Sequence, residues 1–425
     1  MFKYIDCFDK YGRIMQFNKN KQEPIHRWYP FVEGYSKEFI SSIIEELSEK
    51  PKICLEPFSG SGTTALELQQ SKTLCHSFEI NPFMHLLSSV KLDNSYVCED
   101  TIEYFNKIVK YRESVECQLP NSSFKTLYED EDLDKWNFNK SVGIAIQKLK
   151  LSINTIDEVK YRNLFTIALA SILLDVSNLF RNGKCLSYKQ NWKSLKLSES
   201  DVFLAFDNKL TSQIIPDIKS FKNVESSINN ITYLYNEDSR VGINNQVEDD
   251  SVDLVITSPP YLNSRDYTDT YMLELRTLDL TPTPKSITDL RNKTIRSHVQ
   301  VKWNDEKFEK DSMLLATMNL LQKAVSPDKM WNSSLLDMVN LYFVDMRLIF
   351  NALYSKLKKD GKVFFNVSNS AYYGVLINTL EICASIAKSE GFHIEEIRKA
   401  RMLKTSPQQK EAIGSLLEGV IVMNK

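Results

Sequence analysis

Directly after the apolar run Val252 to Ile256 the chain reads Thr257-Ser258-Pro259-Pro260-Tyr261. Each proline fixes φ near about −65° and removes a backbone donor, so Pro259 and Pro260 make a rigid corner that presents carbonyl acceptors. Such a corner suits an amine. The Ser258 hydroxyl and the Pro259 carbonyl can hold the two hydrogens of an exocyclic base amine, a poor nucleophile because its lone pair is conjugated into the ring. Held this way, the lone pair is directed at an electrophilic carbon. Tyr261 offers a flat face on which an extruded base can stack, which offsets part of the cost of unstacking it. The plainer alternative is a strand-ending turn with a packed tyrosine.

A second block, Glu56-Pro57-Phe58-Ser59-Gly60-Ser61-Gly62-Thr63-Thr64, lies where an apolar run passes into helical character. Glycines there allow a tight turn and close approach to a ligand, and the free N–H groups of a helix start favour an anionic group. Three nucleotide sites fit a glycine turn in this position. A phosphate-binding loop lacks its lysine, and the GxGxxG spacing of a dinucleotide turn is not met. The third, the site for the methionine part of S-adenosylmethionine, fits best, because Glu56 at a strand end can pair with an α-amino group. Some 20 residues on, Glu79 in Phe78-Glu79-Ile80-Asn81-Pro82 stands where an acid accepts hydrogen bonds from ribose hydroxyls. Asp238, in Asn236-Glu237-Asp238-Ser239, is placed after a third strand to accept from an adenine amino group; a plain loop turn is its alternative.

The elements that must position these residues follow from hydrophobic period and punctuation. Pro51 to Leu55 and Thr73 to Ile80 read as strands, followed by helices over Thr64 to Ser71 and from Pro82 to Leu92. Ile231 to Tyr235, Val252 to Ile256 and Val363 to Val367 read as further buried parallel strands. Apolar positions Val339, Phe343, Met346, Phe350, Leu353 and Leu357 predict a long helix over Leu335 to Leu357, stopped by Asp360-Gly361. Phe392 to Ile397 and Gly419 to Met423 are expected to pair and close one sheet edge. Residues 95 to 228 break this rhythm with long amphipathic patterns, notably Asp157 to Phe180, and read as a helical insertion. Leu280 to Trp331 is irregular and too long for a passive connection.

Composition places the chain among ordinary globular proteins: 425 residues, 42% hydrophobic, 25% charged, formal net charge -2. A blanket basic field is excluded, while local basic patches are not. Seven cysteines lie scattered without a CxxC pair, and no histidine stands at zinc-ligand spacing, so no metal or disulfide framework is expected. The first residues are polar and charged, unlike a signal peptide, and the longest apolar run, Leu164 to Leu174, suits a buried helix, so a cytosolic protein without membrane association is expected.

Taken in order, EPFSGSGTT, FEINP, NEDS and SVDLVITSPPY resemble the motifs of S-adenosylmethionine-dependent DNA amino-methyltransferases of the SPPY type. Glu56 stands where that family commonly has Asp, so the acid is kept. Arg27 to Ser36 resembles the block that helps close the family's cofactor pocket, which brings in Tyr29, Tyr35 and Ser36. Thr405 to Gln409 resembles a segment before its last strand. The resemblance spans roughly residues 25 to 95 and 230 to 425, with a weaker match at SNLFRNGK. It implies a Rossmann-like α/β class I methyltransferase fold with a mixed seven-stranded sheet, a catalytic domain over 1–94 and 229–425, and the helical insertion 95–228 as candidate target-recognition region. The implied cofactor is S-adenosylmethionine, held by Tyr29, Tyr35, Ser36, Glu56 to Thr63, Glu79, Ile80, Asn81, Asp238 and Ser239. The implied partner is double-stranded DNA, with a restriction endonuclease acting separately, and the implied product is N4-methylated cytosine. Adenine N6 is the alternative, and an RNA base or a protein amide a more remote one. Two basic stretches are candidates for DNA contact: Arg181, Lys184, Lys189, Lys193 and Lys196 interleaved with Tyr188 and Trp192, then Lys285, Arg291, Lys293, Arg296, His298 and Lys302 beyond the proline corner. A solvated face is the plainer alternative for both. His26, His76, His85 and His393 read as structural.

Overall fold

The structure, a computed structural model, describes residues 2–183, 185–221, 231–263, 266–302, 311–325, 330–406 and 408–425. Its strands are β1 (Tyr4–Asp6), β2 (Ile53–Glu56), β3 (Leu74–Phe78), the pair β4 (Leu179–Asn182) and β5 (Cys185–Tyr188), β6 (Thr232–Tyr235), β7 (Val252–Thr257), β8 (Leu357–Ser368), the pair β9 (Ser370–Tyr372) and β10 (Val375–Ile377), β11 (His393–Lys404) and β12 (Ser415–Asn424). One 8-stranded sheet has the order β1-β11-β12-β8-β7-β2-β3-β6. Neighbours from β8 to β6 are parallel, whereas β12 runs antiparallel to both β8 and β11. The sheet therefore has one strand more than the seven expected. The addition is β1, a three-residue strand parallel to β11 and too short to show alternation.

Both faces of the sheet are covered, and the side-chain period of two divides its residues between two apolar cores. Cys54, Leu254, Ile256, Phe364, Val420 and Val422 enter one core, while Leu55, Val255, Val363, Phe365, Ile421 and Met423 enter the other, joined out of period by Val252, where the register of β7 against β8 shifts. The long helix Leu335–Lys356 packs in the second. It ends before the expected stop, since Asp360 and Gly361 already lie in β8, Asp360 with φ 66°.

The insertion is helical as expected, with helices Cys98–Ser114, Lys140–Asn154, Val159–Ile172 and Glu199–Lys209. Its buried side chains, including Ile108, Phe138, Leu149 and Phe165, join Trp28, Phe39 and Cys54 in the first core rather than forming a core of their own. The third of these helices stops at Ile172, short of Phe180, which lies in β4; β4 and β5 form an antiparallel pair inside the basic segment. Within Leu280 to Trp331 the structure contains helices Pro284–Arg291 and Ser312–Ala324, where irregular chain was expected. Each has a local start signal, a Thr283–Ser286 capping box with proline in the first turn and an Asp311 cap. Among the described residues no helix is long and apolar enough to cross a membrane, and no cluster of His, Cys, Asp or Glu is placed to hold a metal ion.

Candidate active site

Parallel strands deliver their carboxyl ends to one edge of the sheet, and there β2, β3, β6 and β7 release Glu56, Glu79, Asp238 and Ser258 around a single cleft of about 420 Å³. The glycine turn forms its floor. Gly60 and Gly62 have φ of 53° and 76°, and a Cβ on Gly60 would lie 3.3 Å from the Phe31 ring, so the turn needs the absence of a side chain. Its carbonyls are bound from behind: Ser88 Oγ donates to Gly60 O at 2.9 Å and Lys91 Nζ to Ser61 O at 3.1 Å. Burial pushes the Lys91 ammonium down to about 7.

Glu56 is buried at the end of β2 and accepts from Ser77 Oγ at 2.9 Å. Burial pushes its carboxyl up to about 8, against hydrogen bonds from Thr64 and Ser77 that favour the charge. An acid held this way gains by meeting a cation. Glu79 ties the turn to the end of β3: its Oε2 accepts from Gly60 N–H and its Oε1 from Asn81 N–H, each at 2.8 Å. Burial lifts it to about 7, opposed by those amide contacts. Ser59 Oγ is buried beside them without a hydrogen-bond partner. Carboxyls at two strand ends, an unsatisfied hydroxyl and a close-approach glycine turn fit a nucleoside carrying an amino-acid group, which is the chemistry of S-adenosylmethionine.

Of the expected cofactor residues, Tyr35, Pro57, Phe58, Ser59, Gly60, Ser61, Thr63, Glu79, Ile80, Asn81, Asp238 and Ser239 line the cleft with Glu56. Gly62 lies behind the turn as the left-handed cap of helix Thr63–Gln70, and the Asn81 side chain caps helix Pro82–Leu92. Tyr29 and Ser36 are not in the cleft wall. Tyr29 is fully buried and its hydroxyl donates to Glu274 Oε1 at 2.5 Å, while Ser36 Oγ donates to Ile14 O at 3.0 Å. Asp238 also departs from expectation: both carboxylate oxygens are bound by Arg240, at 2.9 and 2.6 Å, and Oδ1 caps the following helix. Its carboxylate therefore borders the cleft already paired with a cation.

Ser258, Pro259, Pro260 and Tyr261 line the same cleft as the glycine turn. Ser258 Oγ lies 3.2 Å from Tyr261 Oη, and Tyr261 N–H donates to Tyr267 Oη at 2.9 Å. Sequence reasoning missed the residues behind this corner. Tyr261 Oη reaches Glu418 Oε1 on β12 and Asn366 Nδ2 on β8, each at 2.7 Å, and Arg401 on β11 donates to Glu418. The available signal was a single acid in Leu416-Leu417-Glu418-Gly419-Val420 and a single amide in Phe365-Asn366-Val367, polar residues inside apolar strands.

Several of the basic side chains expected at phosphates serve the fold, whereas Lys196, Lys285 and Lys302 are exposed. Arg181 is half-buried, donating to Tyr29 Oη at 2.6 Å, Glu274 Oε1 at 3.0 Å and Pro30 O at 3.1 Å. Lys189 closes the end of the preceding segment by donating to Asp175 O and Ser177 O. Arg291 binds Asp266 and Asp269, and buried Arg296 binds Asp345. Lys193 is exposed over the Trp192 ring, and Lys293 is exposed at the cleft rim. Lys184 and Pro407 lie outside the described residues.

A glycine turn, two strand-end acids and a proline corner on a mixed sheet flanked by helices define a Rossmann-like methyltransferase fold. No known protein-family model matches the chain. It is 25% identical over 412 residues to the Type II methyltransferase M.AvaI of Nostoc sp. (strain PCC 7120 / SAG 25.82 / UTEX 2576), which covers 91% of this chain and 82% of that protein. The Type II methyltransferase M.BsoBI of Geobacillus stearothermophilus is 24% identical over 440 residues, 94% of this chain and 84% of that one. The Type II methyltransferase M.MvaI of Kocuria varians is 25% identical over 260 residues, 58% of this chain and 55% of that one.

Proposed function

We propose that this chain is a site-specific DNA methyltransferase that moves a methyl group from S-adenosylmethionine to the N4 amine of a flipped cytosine. One observation carries the reading: the Ser258 to Tyr261 corner and the Glu56–Gly60–Glu79 cradle line one cleft. The similarity to Type II methyltransferases over most of the chain supports it. In this reading Glu56 holds the α-amino group, Glu79 takes the ribose hydroxyls, and the turn supplies N–H groups to the carboxylate end. The bound cofactor supplies an electrophilic methyl on a sulfonium. The chain's own contribution is positioning: the Ser258 hydroxyl and the Pro259 carbonyl accept the amine hydrogens, and Tyr261 stacks on the base, so the nitrogen lone pair faces the methyl. Cytosine is favoured over adenine by Ser258 standing before Pro-Pro-Tyr, where a family resemblance associates Asp or Asn with adenine. Lys193 and Lys293, with Lys184, are the phosphate contacts, and insertion 95–228 reads the target. A separate endonuclease would cut the unmodified site.

The test is a competition for labelled methyl groups among duplex DNA, RNA and protein, followed by digestion of the DNA to nucleosides. Label in N4-methyl-2′-deoxycytidine of duplex DNA alone is expected. Label in N6-methyl-2′-deoxyadenosine would replace cytosine by adenine, and label only in RNA or protein would overturn the substrate class.

A further inference from the structure

The proline corner is tied to the antiparallel half of the sheet through a polar cluster that the transfer chemistry described so far does not use. Glu418 and Asn366 are 1% and 2% exposed, in apolar strands β12 and β8, yet both border the cleft. Burial of such groups is costly unless each hydrogen bond has a defined sense. Here the sense is dictated by donor and acceptor inventory. Arg401 can only donate, so Glu418 Oε2 accepts. The Asn366 amide nitrogen donates to Glu418 Oε1 at 3.2 Å and to Tyr261 Oη at 2.7 Å. The carboxylate brings no hydrogen to its 2.7 Å contact with Tyr261 Oη, so the tyrosine hydroxyl donates there. With its hydrogen so placed, Tyr261 meets Ser258 Oγ at 3.2 Å as acceptor. The Ser258 hydrogen is thereby turned toward Tyr261, and Asn366 Nδ2, 3.5 Å from Ser258 Oγ, faces one of its lone pairs and leaves the other for the cleft.

That sense matters on the function proposed above, on which this inference rests. A Ser258 hydroxyl showing its hydrogen to the amine would engage the nitrogen lone pair that has to attack. One showing a lone pair takes an amine hydrogen and leaves the attacking pair free. We propose that Glu418 is a positioning residue for the transfer, fixing through Tyr261 the sense of the Ser258 hydroxyl so that it meets the amine as an acceptor.

Glu418→Gln tests this, because the amide can still accept from Arg401 while offering Tyr261 a donor. Single-turnover methyl transfer to duplex DNA should fall about tenfold or more, with dissociation constants for S-adenosylmethionine and DNA changed by less than about twofold. Tyr261→Phe removes the link and should give a similar loss, and the double variant should be no slower than the worse single one. Full activity in Glu418→Gln, or losses that multiply in the double variant, would overturn the role of Glu418 while leaving the proposed function standing. If Glu418→Gln does not fold by circular dichroism, Glu418→Gln combined with Arg401→Met removes both charges and carries the same expectations. A wild-type protein that methylates no DNA would instead overturn the function itself, and this inference with it.

Discussion

Two regions rich in suggestive residues behave differently: the glycine turn between β2 and helix Thr63–Gln70, and the basic segment around β4 and β5. In the first, nearly every residue picked out from sequence reaches the cleft. In the second, Arg181 points inward to Glu274 and Tyr29, and Lys189 caps backbone carbonyls. The difference is one of constraint. A strand end followed by a helix can place its first residues only at the sheet's carboxyl edge, whereas a charge in a loop can meet water, phosphate or a buried acid with equal local plausibility.

The largest expected effect breaks the second region. Arg181→Met leaves Glu274, whose carboxyl burial already pushes upward, with Tyr29 as its remaining partner, and should lower unfolding stability by about 3 kcal/mol in a denaturant titration. The salt dependence of DNA binding should hardly move. A fully stable variant with a reduced salt slope would restore Arg181 to the DNA surface.

Next comes Ser258→Ala, which removes the hydroxyl at the proposed amine site without touching the glycine turn. Transfer should slow about a hundredfold with cofactor affinity unchanged by calorimetry. Unchanged turnover would remove Ser258 from the chemistry.

Glu56→Gln sharpens the first region and should weaken S-adenosylmethionine about tenfold. Because burial holds the Glu56 carboxyl up at about 8 and a cationic amino group favours its ionised form, binding near pH 7 should release a proton. Affinity of the unmodified protein should therefore rise as pH increases toward about 8 and level off above it. Calorimetry in buffers of different ionisation enthalpy reads that release directly, and the Gln variant should show less of it.

The smallest effect is at the cleft rim. Lys293→Ala should weaken DNA binding only a few-fold and reduce the slope of log affinity against log salt by about one. An unaltered slope would exclude a phosphate contact there.

These cases also show what was legible in the chain. The parallel strands, the glycine turn, Glu79 and the proline corner could be read because apolar runs ending in turns fix both the element and its exit. Helices Pro284–Arg291 and Ser312–Ala324 were missed although their caps are local, because the Thr, Ser and Lys around them mask the apolar period. Asp238, read as a ligand acceptor, does line the cleft, but its pairing with Arg240, two residues on, was not read from sequence. Asn366, Arg401 and Glu418 were beyond sequence reasoning, since only the pairing of β8, β12 and β11 brings them behind Tyr261. Tyr29 was expected at the cofactor and lies one layer behind the cleft wall, its ring centroid 6.3 Å from that of Tyr271, which borders the cleft.

The central claim is that one cleft holds the methyl donor and the base amine face to face. Diffraction from crystals grown with S-adenosylhomocysteine tests it most directly. The account predicts the amino group against Glu56, the ribose hydroxyls at Glu79 and the sulfur turned toward Ser258 and Pro259. Density for the nucleoside away from the Gly60 turn, or a sulfur facing away from the proline corner, would contradict it.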